Sequence, residues 1–504
     1  MRKNQAPLEI SGEEFRKAGY MLVDQISEFL NTIDKKKVTT GESPEQVQKI
    51  TGKDTLPEKG ASPEEILARA SDLLFGHSLL NGHPRFFGYI TGSPAPIGAL
   101  ADLLASSVNP NVGANILSPV ATELEKQTVR WLAELTGIPS SYGGLLVSGG
   151  NMANFTGFLA ARSTKAPINL KTDGISGLSQ KMTIYCSQAT HTWIEKAAIH
   201  FGMGSSSLRW IKTVEDSNKI DTDALEQAVQ NDIRNGYVPM MVIGNAGDVS
   251  TGVVDDLEKM SKIGRKYDVW FHVDGAYGLP ASIVPEYKNL FRGIEEADSI
   301  AIDPHKWLYS PLEAGCTLVK NPDHLKHAFS SHPVYYNFDD KDSGITNFYE
   351  YGLQNSRGFR ALKVWCALQQ AGRSGYEKMI SHDIAMSKLL YLRTIEHPEL
   401  EDVTQNLSIT TLRYVPEGFN QGAGNSEAIL NELNEKLLNE LQKGGEAFLS
   451  NAVVKGKYCL RACIVNFRTT EQDIEETIDA IVRTGRKVGE AYSFDWLSER
   501  VTTD

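Results

Sequence analysis

Residues 299–307 read Ser299-Ile-Ala-Ile-Asp-Pro-His-Lys-Trp307 and lie beyond the middle of a 504-residue chain. A short apolar run predicts a buried strand that ends at the Asp-Pro pair, and His305 and Lys306 follow on the turn. Partial burial lowers the pKa of a lysine, and its free amine can then form an imine with an aldehyde. The alternative is an ordinary surface lysine on a loop.

Further apolar runs of strand length surround this stretch, and helical periodicity separates several of them. The runs cover residues 144–147, 182–186, 240–243, 269–273, 299–302 and 316–319. Short buried strands that alternate with helices predict an α/β fold with a mainly parallel sheet. Ligands of such sheets bind beyond the carboxyl ends of the strands, so the chemistry is expected there.

The strand over 269–273 delivers Asp274 to its end, and the small residues Gly275 and Ala276 follow. A carboxylate at this place can pair with a protonated pyridine nitrogen and keep the ring an electron sink. Small residues after it let a flat ring approach the backbone. A helix N-cap aspartate is the alternative interpretation, with about equal weight for this motif alone.

Two other strand ends complete the pattern. Residues 145–147 run into Ser148-Gly149-Gly150-Asn151, where exposed backbone N–H groups at a helix start can cradle a phosphate. Residues 184–186 are followed by His191, whose imidazole can stack on an aromatic cofactor and hydrogen-bond a carboxylate. A Gly-rich turn and a capping or core histidine are the plain alternatives, and the joint occurrence of the motifs argues against them.

These motifs together resemble the group II decarboxylases that depend on pyridoxal 5'-phosphate (PLP) and act on amino acids. The resemblance runs from about residue 80 to the C-terminus and is carried by HVDGAYG (272–278) and DPHKW (303–307). It implies the fold-type I, aspartate aminotransferase-like architecture and PLP as the cofactor. It also implies a homodimer with active sites at the interface.

The resemblance assigns roles to individual residues. Lys306 is similar to the lysine that forms the Schiff base, Asp274 to the partner of the pyridine nitrogen, and His191 to the histidine stacked on the ring. The remaining cofactor positions are taken by Gly150 and Asn151 at the phosphate, His305 beside the lysine and Ala276 beneath the ring.

The segment 331–336 resembles the family's active-site loop, and Tyr335 falls where the family protonates the substrate carbon. The adjacent Tyr336 leaves a one-residue ambiguity, and a packed loop tyrosine is the alternative. The chain departs from the family at Asp248-Val249, which replaces two threonines. A hydroxyl near the cofactor is therefore missing or supplied by Ser250 or Thr251.

We therefore expect a carboxy-lyase that releases carbon dioxide and an amine from an L-amino acid. Residues 86–89 and 91–96 resemble the members that act on aromatic substrates. An aldehyde synthase, in which oxygen intercepts the carbanion, and a non-catalytic PLP-binding homologue are the alternatives. The first tends to lose the loop tyrosine or the stacking histidine, and this chain keeps both types of residue.

Composition and patterning add limits on partners and location. The net charge of -12 argues against nucleic-acid or anionic-membrane binding. We expect no signal peptide and no membrane span, because no long apolar stretch occurs. Five cysteines without a CxxC pair or a zinc-spaced histidine cluster predict reduced thiols, a cytoplasmic protein and no metal site.

Changes in residue pattern along the chain predict three parts. Residues 1–85 form a helical arm and linker, with an amphipathic helix over 13–33 and a linker over 34–62. Residues 86–375 form the large PLP-binding domain. Residues 376–504 form a small C-terminal α+β domain, with helices over 376–397, 426–443 and 471–493 and strands near 409–414 and 458–465.

Overall fold

Strand side chains alternate between two apolar layers, and this alternation builds the centre of the molecule. The computed structural model describes residues 6–52, 55–215, 217–331, 344–422 and 424–499. In strand β5 (Trp270–Asp274), Phe271 and Val273 join one buried cluster, whereas Trp270 joins a second cluster. The sheet therefore has helices on both faces, as its near-continuous apolar strands predict.

Seven strands form the large sheet in the order β1-β7-β6-β5-β4-β2-β3. The other six are β1 (Gly143–Val147), β2 (Met182–Ser187), β3 (Leu208–Ile211), β4 (Val238–Asn245), β6 (Ser299–Ile302) and β7 (Gly315–Val319). Strand β7 runs antiparallel to both of its neighbours, and the remaining pairs are parallel. The mainly parallel sheet of the α/β prediction is thereby confirmed.

The helices are distributed along the whole described chain. They are α1 (Gly12–Thr32), α2 (Pro44–Thr51), α3 (Pro63–His77), α4 (Pro96–Val108), α5 (Pro119–Leu135), α6 (Gly150–Lys165), α7 (Leu170–Asp173), α8 (Trp193–His200), α9 (Thr222–Arg234), α10 (Leu257–Lys266), α11 (Asp323–Phe329), α12 (Ala361–Glu396), α13 (Ser426–Gly444) and α14 (Glu471–Glu499). Helix α2 corrects the prediction of a linker over 34–62, because Ser43 and Gln46 form a capping box there. No described helix is long and apolar enough to cross a bilayer.

A second sheet follows, with four antiparallel strands in the order β10-β11-β9-β8. Its strands are β8 (Leu400–Asn406), β9 (Ile409–Tyr414), β10 (Ser450–Val454) and β11 (Lys457–Cys463). Side chains of β9, β11, α13 and α14 share one buried cluster beneath it. This confirms a smaller α+β unit, while the domain boundaries remain predictions. Helix α12 crosses the predicted boundary after residue 375 and is broken nearby at Gly372, which has φ 62°.

The strands that the sequence missed share one property. Strand β3 is an edge of the large sheet, and β8 and β10 are the two edges of the small one. Edge strands bury less of their surface, so their apolar pattern is weak, and β10 alternates buried and exposed residues over only five positions. The predicted strands all lie in the structure within a few residues of their expected bounds.

Candidate active site

The turns after β1, β2, β4, β5 and β6 open into one cavity of about 820 Å³. Every predicted site residue that the structure describes lines it. These residues are Gly150, Asn151, His191, Asp274, Ala276, His305 and Lys306. Tyr335 and Tyr336 lie outside the described residues, so the loop acid stays a prediction. The structure thus brings together side chains from four separate strand ends.

Lys306 forms an ion pair in this cavity. Its Nζ lies 3.0 Å from Oδ2 of Asp303, the residue that directly follows strand β6. Burial lowers the pKa of the Lys306 amine, but the charges of Asp303 and Asp274 outweigh burial and raise this pKa above its ordinary value. The lowered pKa that burial alone predicts is therefore not found, because that expectation left the two carboxylates out.

Asp303 is fully buried and faces the start of helix α6. Neither of its carboxylate oxygens accepts a hydrogen bond of normal geometry from the described residues. A Cβ added to Gly150 would lie 2.5 Å from Oδ2 of Asp303. His305 Nε2 is 3.7 Å from the same oxygen. A buried carboxylate is costly unless a cation pairs with it, and the Lys306 amine at 3.0 Å is that partner.

The turn between β1 and α6 has the features of an anion cradle. Helix α6 begins at Gly150, and its N-cap residue Gly149 supplies no side-chain hydrogen bond to the helix start. A Cβ at Gly315 would lie 2.6 Å from the backbone of Gly149, so glycine permits this close approach. The uncapped N–H groups favour an anion such as a phosphate. His305 borders the cradle, and burial lowers the pKa of its imidazole.

Asp274 is the last residue of strand β5, and each of its two carboxylate oxygens accepts a hydrogen bond. Its Oδ2 accepts the indole N–H of Trp193 at 2.8 Å, and its Oδ1 accepts the backbone N–H of Ala276 at 3.2 Å. The helix N-cap alternative does not apply, since the residues after Asp274 form a turn. The carboxylate is therefore oriented and faces the cavity beside the small Ala276.

His191 is oriented by a hydrogen bond to its ring. The backbone N–H of Trp193 donates to Nδ1 of His191 at 3.3 Å. Burial lowers the pKa of His191, and the charge of Lys306 lowers it further although Asp274 opposes this. The neutral ring that accepts at Nδ1 carries its proton on Nε2. His191 thus accepts a local backbone hydrogen bond, as a capping histidine does. Its Nε2–H also remains available as a donor, as the functional interpretation requires.

The departure at Asp248-Val249 has a structural explanation. Asp248 is buried and accepts the backbone N–H groups of Ser250, Thr251 and Val253 at 2.8–3.0 Å. Burial raises the pKa of this carboxyl, and the turn hydrogen bonds oppose the rise. Asp248 and Val249 line the cavity, whereas Ser250 and Thr251 do not. Neither hydroxyl therefore replaces the missing threonine at the cavity wall.

Sequence reasoning missed three residues of the site. Trp193 contacts both His191 and Asp274, and Asp303 is the partner of Lys306. Arg461 comes from strand β11 of the small sheet, lines the cavity and donates to the carbonyl of Val249. Only the position of Asp303 at a strand end could have drawn attention to it, because the other two contacts join distant parts of the chain.

The residues present fit PLP. The cradle at Gly149 and Gly150 suits a phosphate, because the backbone N–H groups at the start of helix α6 have no side-chain cap. An amine, a held carboxylate and a neutral imidazole lie on the same cavity wall. These are the groups that an aldehyde, a pyridine nitrogen and a flat ring require.

Comparison with known proteins agrees with this geometry. Residues 44–412 match the pyridoxal-dependent decarboxylase conserved domain, and residues 394–492 match a PDXDC1-like second central domain. An aromatic-L-amino-acid decarboxylase from Bacillus atrophaeus is 33% identical over 488 residues, which are 96% of this chain and 98% of that protein. A phenylacetaldehyde synthase from a Rosa hybrid cultivar is 30% identical over 487 residues, with 93% of each chain covered.

A solved structure shows the same fold. The crystal structure of Oryza sativa TDC with PLP and tryptamine superposes with a TM-score of 0.88 at 25% identity. It covers 96% of this chain and 99% of the rice protein. The domain match extends over most of the chain, and the fold is the fold-type I architecture that the motifs predicted. The chain therefore belongs to the PLP-dependent decarboxylase family, whose members are carboxy-lyases.

Proposed function

We propose that this enzyme decarboxylates an aromatic L-amino acid to the corresponding amine, with Lys306 as the residue that carries the cofactor. The observation that supports it is the convergence of Lys306, Asp274 and His191 on one cavity from three different strand ends. Each has the chemistry that its proposed role needs, and each is buried or held by named partners. The roles proposed for the three residues are those that the sequence resemblance implies.

When bound, PLP supplies an aldehyde that captures amines and a ring that accepts the electron pair left by carbon dioxide. Lys306 Nζ is the nucleophile that holds the cofactor, and it must lose its proton before it can react. Asp274 holds a proton at the ring nitrogen. His191 uses Nε2–H to hold the substrate carboxylate in a fixed orientation, which is a positioning effect.

The remaining roles follow from the positions around the cavity. Gly150, Asn151 and His305 surround the phosphate cradle, and Ala276 leaves room for the flat ring. Tyr335 is proposed as the acid that returns a proton to the substrate carbon. That role rests on the sequence motif.

The aromatic substrate is supported by the wall of the cavity. Its apolar lining includes Tyr89, Ile90, Phe155, Val249 and Leu312. Aromatic and aliphatic side chains of this kind bury a ring favourably. The bacterial and plant relatives named above act on aromatic amino acids or make phenylacetaldehyde by name.

The second candidate is an aldehyde synthase, and the rose relative favours it. The two reactions use the same residues to hold the cofactor and diverge when oxygen competes with a proton for the substrate carbon. The synthases tend to lose the loop tyrosine or the stacking histidine. A non-catalytic homologue is the third candidate, and the retained Lys306 and Asp274 argue against it. The reaction products distinguish these three candidate functions.

The test is a panel of L-amino acids offered to the PLP-loaded protein, with carbon dioxide, amine and hydrogen peroxide measured together. We expect equal amounts of carbon dioxide and amine from an aromatic amino acid, and little peroxide. Peroxide and aldehyde in amounts equal to carbon dioxide would assign the oxidative reaction. No carbon dioxide from any amino acid, despite a bound cofactor, would refute decarboxylation.

We also propose that two copies associate and that the sites lie near their interface. The supporting observation is an exposed apolar surface on and after helix α4. It comprises Leu100, Leu103, Leu104, Val108, Ile116, Leu117 and Val120. Such a patch is typical of a protein interface. Light scattering should give twice the chain mass of 55.6 kDa, and a monomeric mass would contradict the proposal.

A cytoplasmic location is proposed on the state of the cysteines. All five lie in the described part of the chain and carry free thiols, and four of them are buried. Free buried thiols are typical of a reducing compartment. Fractionation of cells that express the tagged protein tests this, and recovery outside the cytoplasmic fraction would contradict it.

A further inference from the structure

We propose that Trp193 is a positioning residue that holds the Asp274 carboxylate in register with the pyridine nitrogen of the cofactor. The inference rests on the role proposed above for Asp274. Trp193 is the first residue of helix α8 and is completely buried. Neither the motifs nor the resemblance assigned it a role, so the structure adds it to the site.

The contact is well formed at the carboxylate. The indole N–H of Trp193 donates to Oδ2 of Asp274 at 2.8 Å, and the backbone of Ala276 donates to Oδ1 at 3.2 Å. One donor on each oxygen fixes the plane of the carboxylate. An ionised carboxylate has about four acceptor positions. Two donors therefore leave positions free for a ring nitrogen in the cavity.

The indole is itself held in place. Its ring meets the ring of His272 edge to face, with centroids 5.6 Å apart and an interplanar angle of 72°. His272 is fixed by Ser299 and Asn154, each at 2.7 Å from one ring nitrogen. Burial lowers the pKa of His272 to about 4, so this support is neutral at pH 7. The indole of Trp193 is therefore held beside Asp274 by a fixed and uncharged histidine ring.

Trp193 also joins two functional groups through two different atoms. Its backbone N–H donates to His191, whereas its side chain donates to Asp274. A change of side chain removes the second contact and leaves a backbone donor for the first. Substitution at this position therefore separates the orientation of Asp274 from that of His191.

The test compares Trp193→Phe with Trp365→Phe by equilibrium dialysis of PLP. Trp365 of helix α12 donates its indole N–H to Oε1 of Gln127 at 2.7 Å, and neither of these residues lines the cavity. We expect Trp193→Phe to weaken PLP binding by about ten- to hundredfold, which corresponds to one hydrogen bond to a charged group. Trp365→Phe should bind PLP as the parent does. Equal affinity in both variants would overturn the proposal.

A double variant shows whether the effect passes through Asp274. Asp274→Asn should weaken PLP binding, and adding Trp193→Phe to it should cause little further loss. Additive losses would show that Trp193 acts elsewhere and would overturn the proposal. If Asp274→Asn itself bound PLP normally, the role of Asp274 would fail, and the positioning role of Trp193 would fail with it. If Asp274→Asn bound PLP weakly but Trp193→Phe bound it as the parent does, the proposed function would stand and the positioning role of Trp193 would fail.

A measurement on the native side chain covers the case in which Trp193→Phe does not fold. The protein has seven tryptophans, and their indole N–H groups give separate ¹⁵N resonances after labelling. One of them should shift on Asp274→Asn and again when PLP binds the parent protein. The absence of any resonance that responds to both changes would overturn the proposal.

Discussion

Asp303 and Lys306 form the ion pair of the cavity, with 3.0 Å between Oδ2 and Nζ. The two residues are separated by a single turn of chain after strand β6. The carboxylate lies completely inside the protein, and the amine is the only cation that the structure places against it at this distance among the described residues. The pair keeps Lys306 protonated, whereas capture of an aldehyde requires the neutral amine.

Asp303→Asn should therefore make cofactor loading possible at lower pH. Without the carboxylate charge, the pKa of Lys306 falls, and a larger fraction of the amine is neutral at any given pH. The rate of PLP uptake, followed by absorbance after rapid mixing, should reach half of its maximum at a lower pH than in the parent. Asp298→Asn is the control, because Asp298 precedes the same strand and accepts from Phe271 instead. An unchanged pH profile would contradict the effect of Asp303.

Lys306→Ala should remove covalent attachment of PLP and abolish turnover. Reduction with borohydride traps a lysine-bound cofactor, so mass spectrometry of peptides should find the adduct on residue 306 in the parent and not in Lys306→Ala. Lys363→Ala is a matched control, because Lys363 is also buried and pairs with Asp102 at 3.0 Å. That control should keep the adduct on Lys306. Turnover by Lys306→Ala at the rate of the parent would refute its assignment.

Asp248→Ala should destabilise the fold because Asp248 supports a tight turn. Three backbone N–H groups lose their acceptor, at about 1–3 kcal/mol for each buried donor left unpaired. The free energy of unfolding, measured in urea, should fall accordingly. The unfolding free energy of Asp248→Asn should lie between those of the parent and Asp248→Ala, because the amide oxygen of asparagine can still accept hydrogen bonds.

The control for this turn is Asp72→Ala, a change at an exposed position of helix α3. It should leave the free energy of unfolding within about 0.5 kcal/mol of the parent. Equal unfolding free energies for Asp248→Ala and Asp72→Ala would show that the turn does not depend on Asp248.

Strand ends were the part of this site that local sequence could predict. An apolar run of fixed length that stops at Asp274 or before Lys306 places these residues at the edge of a sheet, whatever the order of the strands. The order itself depends on long-range pairing, and β7 between β1 and β6 has no local cause. The resemblance supplied the roles, but it did not supply the contacts that orient them.

Contacts between distant segments were the part that could not be predicted. Trp193 and Asp274 are 81 residues apart, and their hydrogen bond exists only because β2 and β5 lie near each other in the sheet. The pKa of Lys306 was misjudged because only burial was considered. The nearby Asp303 raises this pKa, and the charge of Asp274 adds to the rise from a distant segment. Periodicity shows which side chains are buried, and tertiary geometry decides what they meet.

A second buried carboxylate lies behind the lysine turn. Asp383 of helix α12 accepts the indole N–H of Trp307 at 2.9 Å and the hydroxyl of Tyr309 at 2.7 Å, both on Oδ2. Its other oxygen is buried without a hydrogen-bond partner among the described residues. Burial raises the pKa of Asp383 to about 8, although the hydrogen bonds oppose the rise. The carboxyl is therefore neutral in the fold at pH 7.

Asp383→Asn should become more stabilising relative to the parent as the pH rises. The unfolded parent releases the Asp383 proton above about pH 4, whereas the folded parent keeps it up to about pH 8, so the parent loses stability across this window. The asparagine cannot ionise in either state. The difference in unfolding free energy should therefore grow by up to about 1.4 kcal/mol per pH unit between these limits and level off above them. Urea unfolding of both proteins at several pH values measures this, and a difference that stays constant with pH would mean that Asp383 is ionised inside the fold.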